Sequence, residues 1–369
     1  MRILVVNWLD RENPFAGGAE IHLHETFSRM VQLGHEVTLL TSGWNGCAAR
    51  VDLDGINVHR TGARYTFSFA AAAYYLRHFS HQSFDVVVED LNKVPLFTPC
   101  WTRSRIVLLV HHLFGLTAFE EAGLPIASAT WLLERPIPWV FSDTPTIAVS
   151  ESTKKDLVKR GLHPEQIKVI PNGIDLDWYT PHPNHARSAD PTILYLGRLK
   201  KYKRVDLLLH AVDKLTQQGV EVTLKIAGTG DDLRRLESLC IKLGITNQVD
   251  FMGYVSEERK LELLRTCWLH AVTSSKEGWG ISCLESSACG TPTVASDSPG
   301  LRESVVSGET GLLVPHGDQQ ELTLAIGSLL SDHQAREKMG RRARRFAERY
   351  SWDNSARAME DFLARLVAQ

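Results

Sequence analysis

Few folds can satisfy the stretch from Trp268 to Gly300, WLHAVTSSKEGWGISCLESSACGTPTVASDSPG. An apolar run over Trp268–Val272 reads as a strand, and a polar turn with Glu277, Gly278 and Gly280 follows it. A short helical window then carries Glu285, and Gly290 closes it before a second β-rich run, Thr291–Ala295. The order strand, loop, helix, strand puts the loop and the first helical turn at the carboxyl edge of a parallel sheet, where open α/β folds bind ligands. The first N–H groups of that helix, near Gly280, Ile281 and Ser282, have no partners inside it and suit an anion such as a phosphate.

Two carboxylates beside an anion site repel the anion, so Glu277 and Glu285 need another target. A carboxylate accepts hydrogen bonds from two neighbouring hydroxyls, and sugars and riboses carry such pairs next to a phosphate. Glu277 is therefore read as facing a sugar and Glu285 as facing a ribose. On spacing alone, a pair of solvated glutamates near a helix start stands level with this reading.

The rest of the chain repeats the pattern. Ile3–Val6 is a continuous apolar run of the kind found in parallel strands buried on both faces. Gly17 and Gly18 then lead into a helical pattern that Gly34 stops, and Val37–Leu40 is the next strand. The glycine pair either shapes a tight turn or lets a ligand approach the backbone. Residues 51–60 suggest a short hairpin, Tyr65–Phe79 a helix rich in alanine and aromatics, and Asp85–Val88 a strand. An aromatic stripe of this kind is more often core than a membrane or acceptor surface. Arg105–Val110 runs directly into His111 and His112, at a strand end where such folds keep their chemistry. Thr146–Val149 is a further strand, and Ser150 caps the helix Glu151–Arg160.

With 369 residues there is room for two domains. Composition shifts to Pro, His, Asn, Ala and Ser around Thr180–Pro191, which marks a linker. A second sheet begins with Thr192–Leu196, followed by GRLKKYK over residues 197–203.

Glu277, seven residues, then Glu285, with GWG between and ACGTPTVAS after, resembles the E-x7-E signature of family 4 retaining glycosyltransferases. GRL-x-x-x-K at 197–203, VIPNGID at 169–175, GGAE at 17–20 and the Gly253-Tyr254-Val255 turn resemble further parts of that family's pattern, in order and over nearly the whole length. The resemblance implies the GT-B architecture: two Rossmann-like α/β domains with parallel sheets facing across a cleft. It implies an acceptor domain at 1–180, a linker at 181–190, a donor domain at 191–350 and a last helix, 351–369, crossing back to the first domain.

It also implies roles. Arg198 and Lys203 hold the diphosphate, Glu285 the ribose and Glu277 the transferred sugar, with Gly278, Gly280 and Ile281 beside it. Gly253, Tyr254 and Val255 meet the base. Gly17 and Gly18 face the donor diphosphate and the acceptor, and His111 lies near the donor sugar as an orienting partner rather than a general base. The expected reaction is transfer of a hexose with retention, giving an α-glycoside. No cofactor or metal is expected; the co-substrate is a nucleotide sugar, UDP-linked ahead of GDP-linked. The acceptor bears a sugar: lipid-linked, polysaccharide or small molecule. A nucleotide-sugar epimerase and a catalytically silent sugar-nucleotide-binding subunit are the alternatives. A nicotinamide dehydrogenase lacks support, because no third glycine completes G-x-G-x-x-G.

Composition narrows the partners. Apolar residues make up 43% and charged residues 23%, and the net charge of -2 argues against nucleic acid as the main partner. The six cysteines form no C-x-x-C pair and read as reduced thiols. The opening MRILVVN reads as a strand rather than a signal peptide, so a cytoplasmic place is expected, with peripheral contact at the inner membrane face through Tyr65–Phe79 as an option.

Overall fold

The computed structural model describes residues 1–121, 123–181, 184 and 187–368, so part of the expected linker, residues 182, 183, 185 and 186, lies outside the described residues. The chain divides into two compact units. Met1–Gly173 and the segment from Trp352 onward form the first, and Ile174–Ser351 the second.

The first unit is built on strands β1 (Arg2–Val6), β2 (Glu36–Ser42), β3 (Arg50–Leu53), β4 (Ile56–Thr61), β5 (Val86–Leu91), β6 (Ile106–Val110), β7 (Thr146–Ala148) and β8 (Ile167–Val169). They lie in the order β3-β4-β2-β1-β5-β6-β7-β8. All neighbours are parallel except β3 and β4, the expected hairpin. Alternation along the strands feeds two cores. Ile3, Val5, Val86, Val88, Val107 and Leu109 pack with Leu23, Phe27 and Met30 of the helix Gly18–Gln32 and with Met359 and Leu363 of the last helix, Trp352–Ala368. On the other face Leu4, Val6, Leu40 and Val87 pack with Phe67, Ala71, Tyr75 and Phe79. The expected helix over 65–79 is regular only over Phe67–Tyr74 and continues as a π-turn over Tyr75–Phe79. Its aromatics divide: Phe67, Tyr75 and Phe79 are buried, but Phe69 is 82% exposed.

The second unit is built on β9 (Thr192–Leu196), β10 (Thr223–Ala227), β11 (Val249–Gly253), β12 (Leu269–Val272), β13 (Thr293–Asp297) and β14 (Gly311–Pro315). The order is β11-β10-β9-β12-β13-β14, all parallel, which is the doubly wound plan. Its main core runs from Ile193, Leu224 and Leu269 in the sheet to Leu208, Val212 and Leu215 in the helix Val205–Gln217. Ile174 and Tyr179 pack into a second core of this unit with Leu264, Leu284 and Phe346. All six cysteines are free, and Cys240, Cys267, Cys283 and Cys289 are buried.

Candidate functional site

In the second unit the strand order reverses direction between β9 and β12. Loops leaving those two strands part to opposite sides and open a crevice beyond their carboxyl ends, where doubly wound sheets hold ligands. From β9 the chain supplies Gly197, Arg198 and Lys203; from β12 it supplies Glu277, Gly278, Gly280 and the helix Ile281–Ala288 with Glu285.

Lys203 and Glu277 meet directly, Nζ donating to Oε1. Burial works against the Lys203 ammonium, but the Glu277 carboxylate and the hydroxyls of Tyr202 and Tyr195 hold its proton well above the usual lysine range. Lys203 is thus a fixed cation. The Thr273 hydroxyl lies 2.9 Å from the carbonyls of both Lys203 and Arg204, fastening the loop to β12. Arg198 is exposed, and the buried Tyr195 hydroxyl donates to its carbonyl at 3.0 Å.

The glycines of Gly228-Thr229-Gly230 seat this loop. Leu199 N–H donates to the Thr229 carbonyl at 2.8 Å. A Cβ on Gly230 would stand 2.0 Å from the Leu199 oxygen, so only glycine fits. At the start of the helix Ile281–Ala288, Gly280 has φ +89, and a Cβ there would lie 2.6 Å from Ser304 Oγ. Leu284 N–H bonds back to the Gly280 carbonyl at 3.3 Å.

Glu285, 6% exposed, is held at one oxygen. Its Oε1 accepts from Lys260 Nζ at 2.8 Å and from Tyr179 OH at 3.0 Å. Lys260 also pairs with Glu257 at 2.7 Å, and Tyr179 OH lies 3.0 Å from the same Glu257. Burial pulls the Lys260 ammonium down, but the two glutamates push it up to about 12. Burial and the same carboxylates raise the Tyr179 hydroxyl, which stays protonated. At the end of β11, the Gly253 carbonyl accepts from Gly228 N–H at 2.7 Å, Tyr254 is 83% exposed and Val255 is half-buried.

In the first unit the reversal of strand order falls between β1 and β5. Gly17 caps the helix Gly18–Gln32, and its N–H donates to Glu20 Oε2 at 2.7 Å. Glu20 Oε1 accepts from Asn92 Nδ2 at 2.7 Å, and burial raises its carboxyl above the usual range. His111, at the end of β6, is 5% exposed, and its Nε2 lies 2.8 Å from Asp90 Oδ1. At that distance the imidazole and the carboxylate form a buried pair, charged only when His111 is protonated. The His22 ring meets the His111 ring edge-on at 4.9 Å, with both its nitrogens unpartnered. Burial, then the neighbouring His111, holds its proton affinity well below the histidine norm.

The structure therefore joins Lys203 to Glu277, and keeps Arg198, Gly253, Tyr254, Val255, Gly278, Gly280, Ile281 and Glu285 at the carboxyl edge of the second sheet. Gly17, Gly18 and His111 lie at the corresponding edge of the first. Sequence reading passed over Asp90, Tyr179 and Lys260. Asp90 had a signal, an acid ending the apolar run DVVVED; Tyr179 and Lys260 had none, because they reach Glu285 only through the fold.

The family model for glycosyl transferases group 1 matches residues 180–346, and the model for glycosyltransferase family 4 matches residues 16–178. The chain is 27% identical to the uncharacterized glycosyltransferase MJ1607 of Methanocaldococcus jannaschii, over 97% of this chain and 96% of that protein. It is 33% identical to the D-inositol 3-phosphate glycosyltransferase of Gordonia bronchialis, over 70% of this chain but only 63% of that protein. The solved structure of Anabaena Alr3699/HepE in complex with UDP and glucose superposes with a TM-score of 0.80 at 20% identity, over 99% of this chain and 100% of that one. This likeness shows the GT-B fold, with its two parallel-sheet α/β domains.

Proposed function

The chain belongs to the group 1 glycosyltransferases, and on that premise we propose that it moves a hexose from a UDP-linked sugar to a sugar-bearing acceptor, with retention and without a metal ion. The observation that carries this reading is the crevice between β9 and β12. A cation held charged at Lys203, an exposed Arg198 and a free helix start at Ile281 all suit a diphosphate. The sugar nucleotide is proposed as uridine-linked because HepE, of the same fold, is solved with UDP and glucose. That this chain's acceptor carries ring hydroxyls is in keeping with relatives named for D-inositol 3-phosphate.

In the proposed reaction the bond between the anomeric carbon and the diphosphate oxygen breaks as the acceptor oxygen bonds to that carbon on the same face. The acceptor proton passes to a phosphate oxygen of the leaving UDP. Arg198 and Lys203 stabilise the charge that grows on the diphosphate, and Glu277 meets sugar hydroxyls while staying paired to Lys203. His111 orients rather than accepts a proton. Incubation with UDP-glucose and NMR of the product tests this: an α-glycoside is expected, and a β-glycoside overturns retention. Full turnover after exhaustive chelation is expected, and restoration only by a divalent cation contradicts the metal-independent reading.

A peripheral membrane contact at the inner face belongs to the same proposal. Tyr65, Phe69 and Leu76 are 76%, 82% and 58% exposed, Arg64 lies 5.8 Å from the Tyr65 ring, and no acid occurs between Asp54 and Asp85. Aromatics with basic neighbours suit an anionic interface. Among the described residues no helix is long and apolar enough to cross a membrane. Sedimentation with vesicles of phosphatidylglycerol is expected to retain the protein; no retention at low salt removes this contact.

A further inference from the structure

Glu285 differs from the other carboxylates of the crevice in how it is held. Tyr179 reaches it from the segment before β9, and Lys260 from the helix Glu257–Thr266, and both donors converge on Oε1. Oε1 holds the Lys260 ammonium and shares the single Tyr179 O–H proton with Glu257, so Oε2 is the oxygen turned to a ligand. The donors are themselves anchored. Glu257 accepts from Lys260 at 2.7 Å and lies 3.0 Å from the Tyr179 hydroxyl, while the ammonium stands 5.3 Å over the Tyr179 ring. Turning the Glu285 carboxylate would break the Lys260 bond and withdraw the acceptor that the Tyr179 hydroxyl shares with Glu257.

The charges of this cluster do not cancel. Two carboxylates face one ammonium; Glu257 is 57% exposed and keeps water, whereas the Glu285 side chain is 8% exposed and shares that ammonium. A carboxylate so buried is costly unless further donors solvate it. Vicinal hydroxyls meeting Oε2 would do so, and a deoxyribose would leave the charge short of a donor.

We propose that Tyr179 and Lys260 are positioning residues that fix Glu285 Oε2 and thereby give the site its preference for a ribonucleotide over a deoxyribonucleotide. The inference rests on the reading of Glu285 as the ribose partner. Neither residue touches the ligand; each acts through the glutamate.

The test is calorimetric affinity for UDP and for 2′-deoxy-UDP, measured on the wild type, Tyr179→Phe, Lys260→Met and Glu285→Gln. The wild type should prefer UDP by about tenfold or more, the effect of a hydrogen bond to a charged group. Tyr179→Phe keeps the ring and removes one O–H. It should cut the preference to about threefold or less by weakening UDP while leaving 2′-deoxy-UDP unchanged. Lys260→Met should do the same with a larger loss of UDP.

Equal weakening of both ligands, or a preference kept intact in both variants, would show that the two residues only support the fold and would overturn the inference. A wild type that does not discriminate, or a Glu285→Gln variant that still does, would remove the ribose reading itself. If UDP fails to bind, GDP and ADP with their 2′-deoxy forms replace it; binding by none of them sinks the donor reading and this inference together.

Discussion

The two units follow one plan and hold the polar side chains at the same place in it to different degrees. Each is a parallel sheet with a reversal of strand order, and each gathers polar side chains at the carboxyl ends beside that reversal. In the second unit those groups hold one another: Lys203 to Glu277, and Lys260 and Tyr179 to Glu285. In the first, Asp90 lies 2.8 Å from His111 Nε2 and Glu20 accepts from Gly17 N–H and Asn92 Nδ2, but Asn92 Oδ1 and both His22 nitrogens are buried without hydrogen bonds, as are Ser274 Oγ and Trp279 Nε1 in the second. Paired groups are already arranged for one kind of ligand and need little reorganisation to receive it. Unpaired buried groups lower stability until a ligand satisfies them. The charged groups of the second unit's edge are thus the more fully held of the two sets, which is the arrangement that the proposed sugar-nucleotide site would need.

The surfaces differ in the same sense. In the first unit Tyr65, Phe69, Leu116, Leu124 and Trp139 are each more than 70% exposed, whereas in the second Tyr254 alone passes that mark among the large hydrophobic side chains of the described residues.

The sharpest way to break the comparison is Lys203→Met. It removes a cation facing the proposed leaving group and strands Glu277, so transfer from UDP-glucose should fall by about 10²–10³ in single-turnover assays. A loss under tenfold would mean that the pair does not serve the diphosphate.

A stability contrast comes next. Lys260→Met leaves Glu285 and Glu257 without their shared cation and should cost about 3 kcal/mol in urea denaturation. Asp90→Asn keeps a side chain of the same shape 2.8 Å from His111 Nε2, and should cost about 1 kcal/mol while transfer falls. Equal costs would erase the distinction between the two edges.

Acid sensitivity sharpens the contrast further. Burial lowers His270 in β12 to about 3, against an ordinary value of 6.5. Above 6.5 neither the folded nor the unfolded form carries this proton. As pH falls below 6.5 only the unfolded form takes it, so stability is lost between 6.5 and about 3. The slope is about 1.4 kcal/mol per pH unit. His270→Leu should therefore narrow the stability difference between pH 7.5 and pH 5 by about 2 kcal/mol. In the first unit His24, lowered by burial to about 4, should show the same sign over a shorter range.

The smallest effect concerns the exposed aromatics. Phe69→Ser should change stability by no more than about 0.5 kcal/mol, since the ring is outside the core. Retention on anionic vesicles should still drop. A variant that unfolds, or one that binds vesicles unchanged, would show that Phe69 is not part of a docking surface.

What the sequence made legible follows from how local each signal is. Apolar runs such as Ile3–Val6 and Thr192–Leu196 are strands because parallel strands bury both faces, so the pattern is written in consecutive residues. Glu277, Gly280 and Glu285 lie on one loop and one helix, and their spacing carries the site. Tyr179 is 106 positions from Glu285, and no local pattern ties them. Asp90 and His111 sit on neighbouring strands, and their closeness depends on the strand order, which propensity does not encode. Gly230 lies with its backbone against Leu199, a constraint visible only when both loops are placed.

The most direct test of the central claim is the thermal shift of the wild type, Arg198→Ala and Glu285→Ala with UDP, GDP, ADP and TDP. A ligand that binds only the folded state raises its stability with the logarithm of ligand concentration. A shift with UDP in the wild type, lost in both variants, is the result predicted. No shift with any nucleotide, or a shift that survives both substitutions, would contradict a sugar-nucleotide site between β9 and β12.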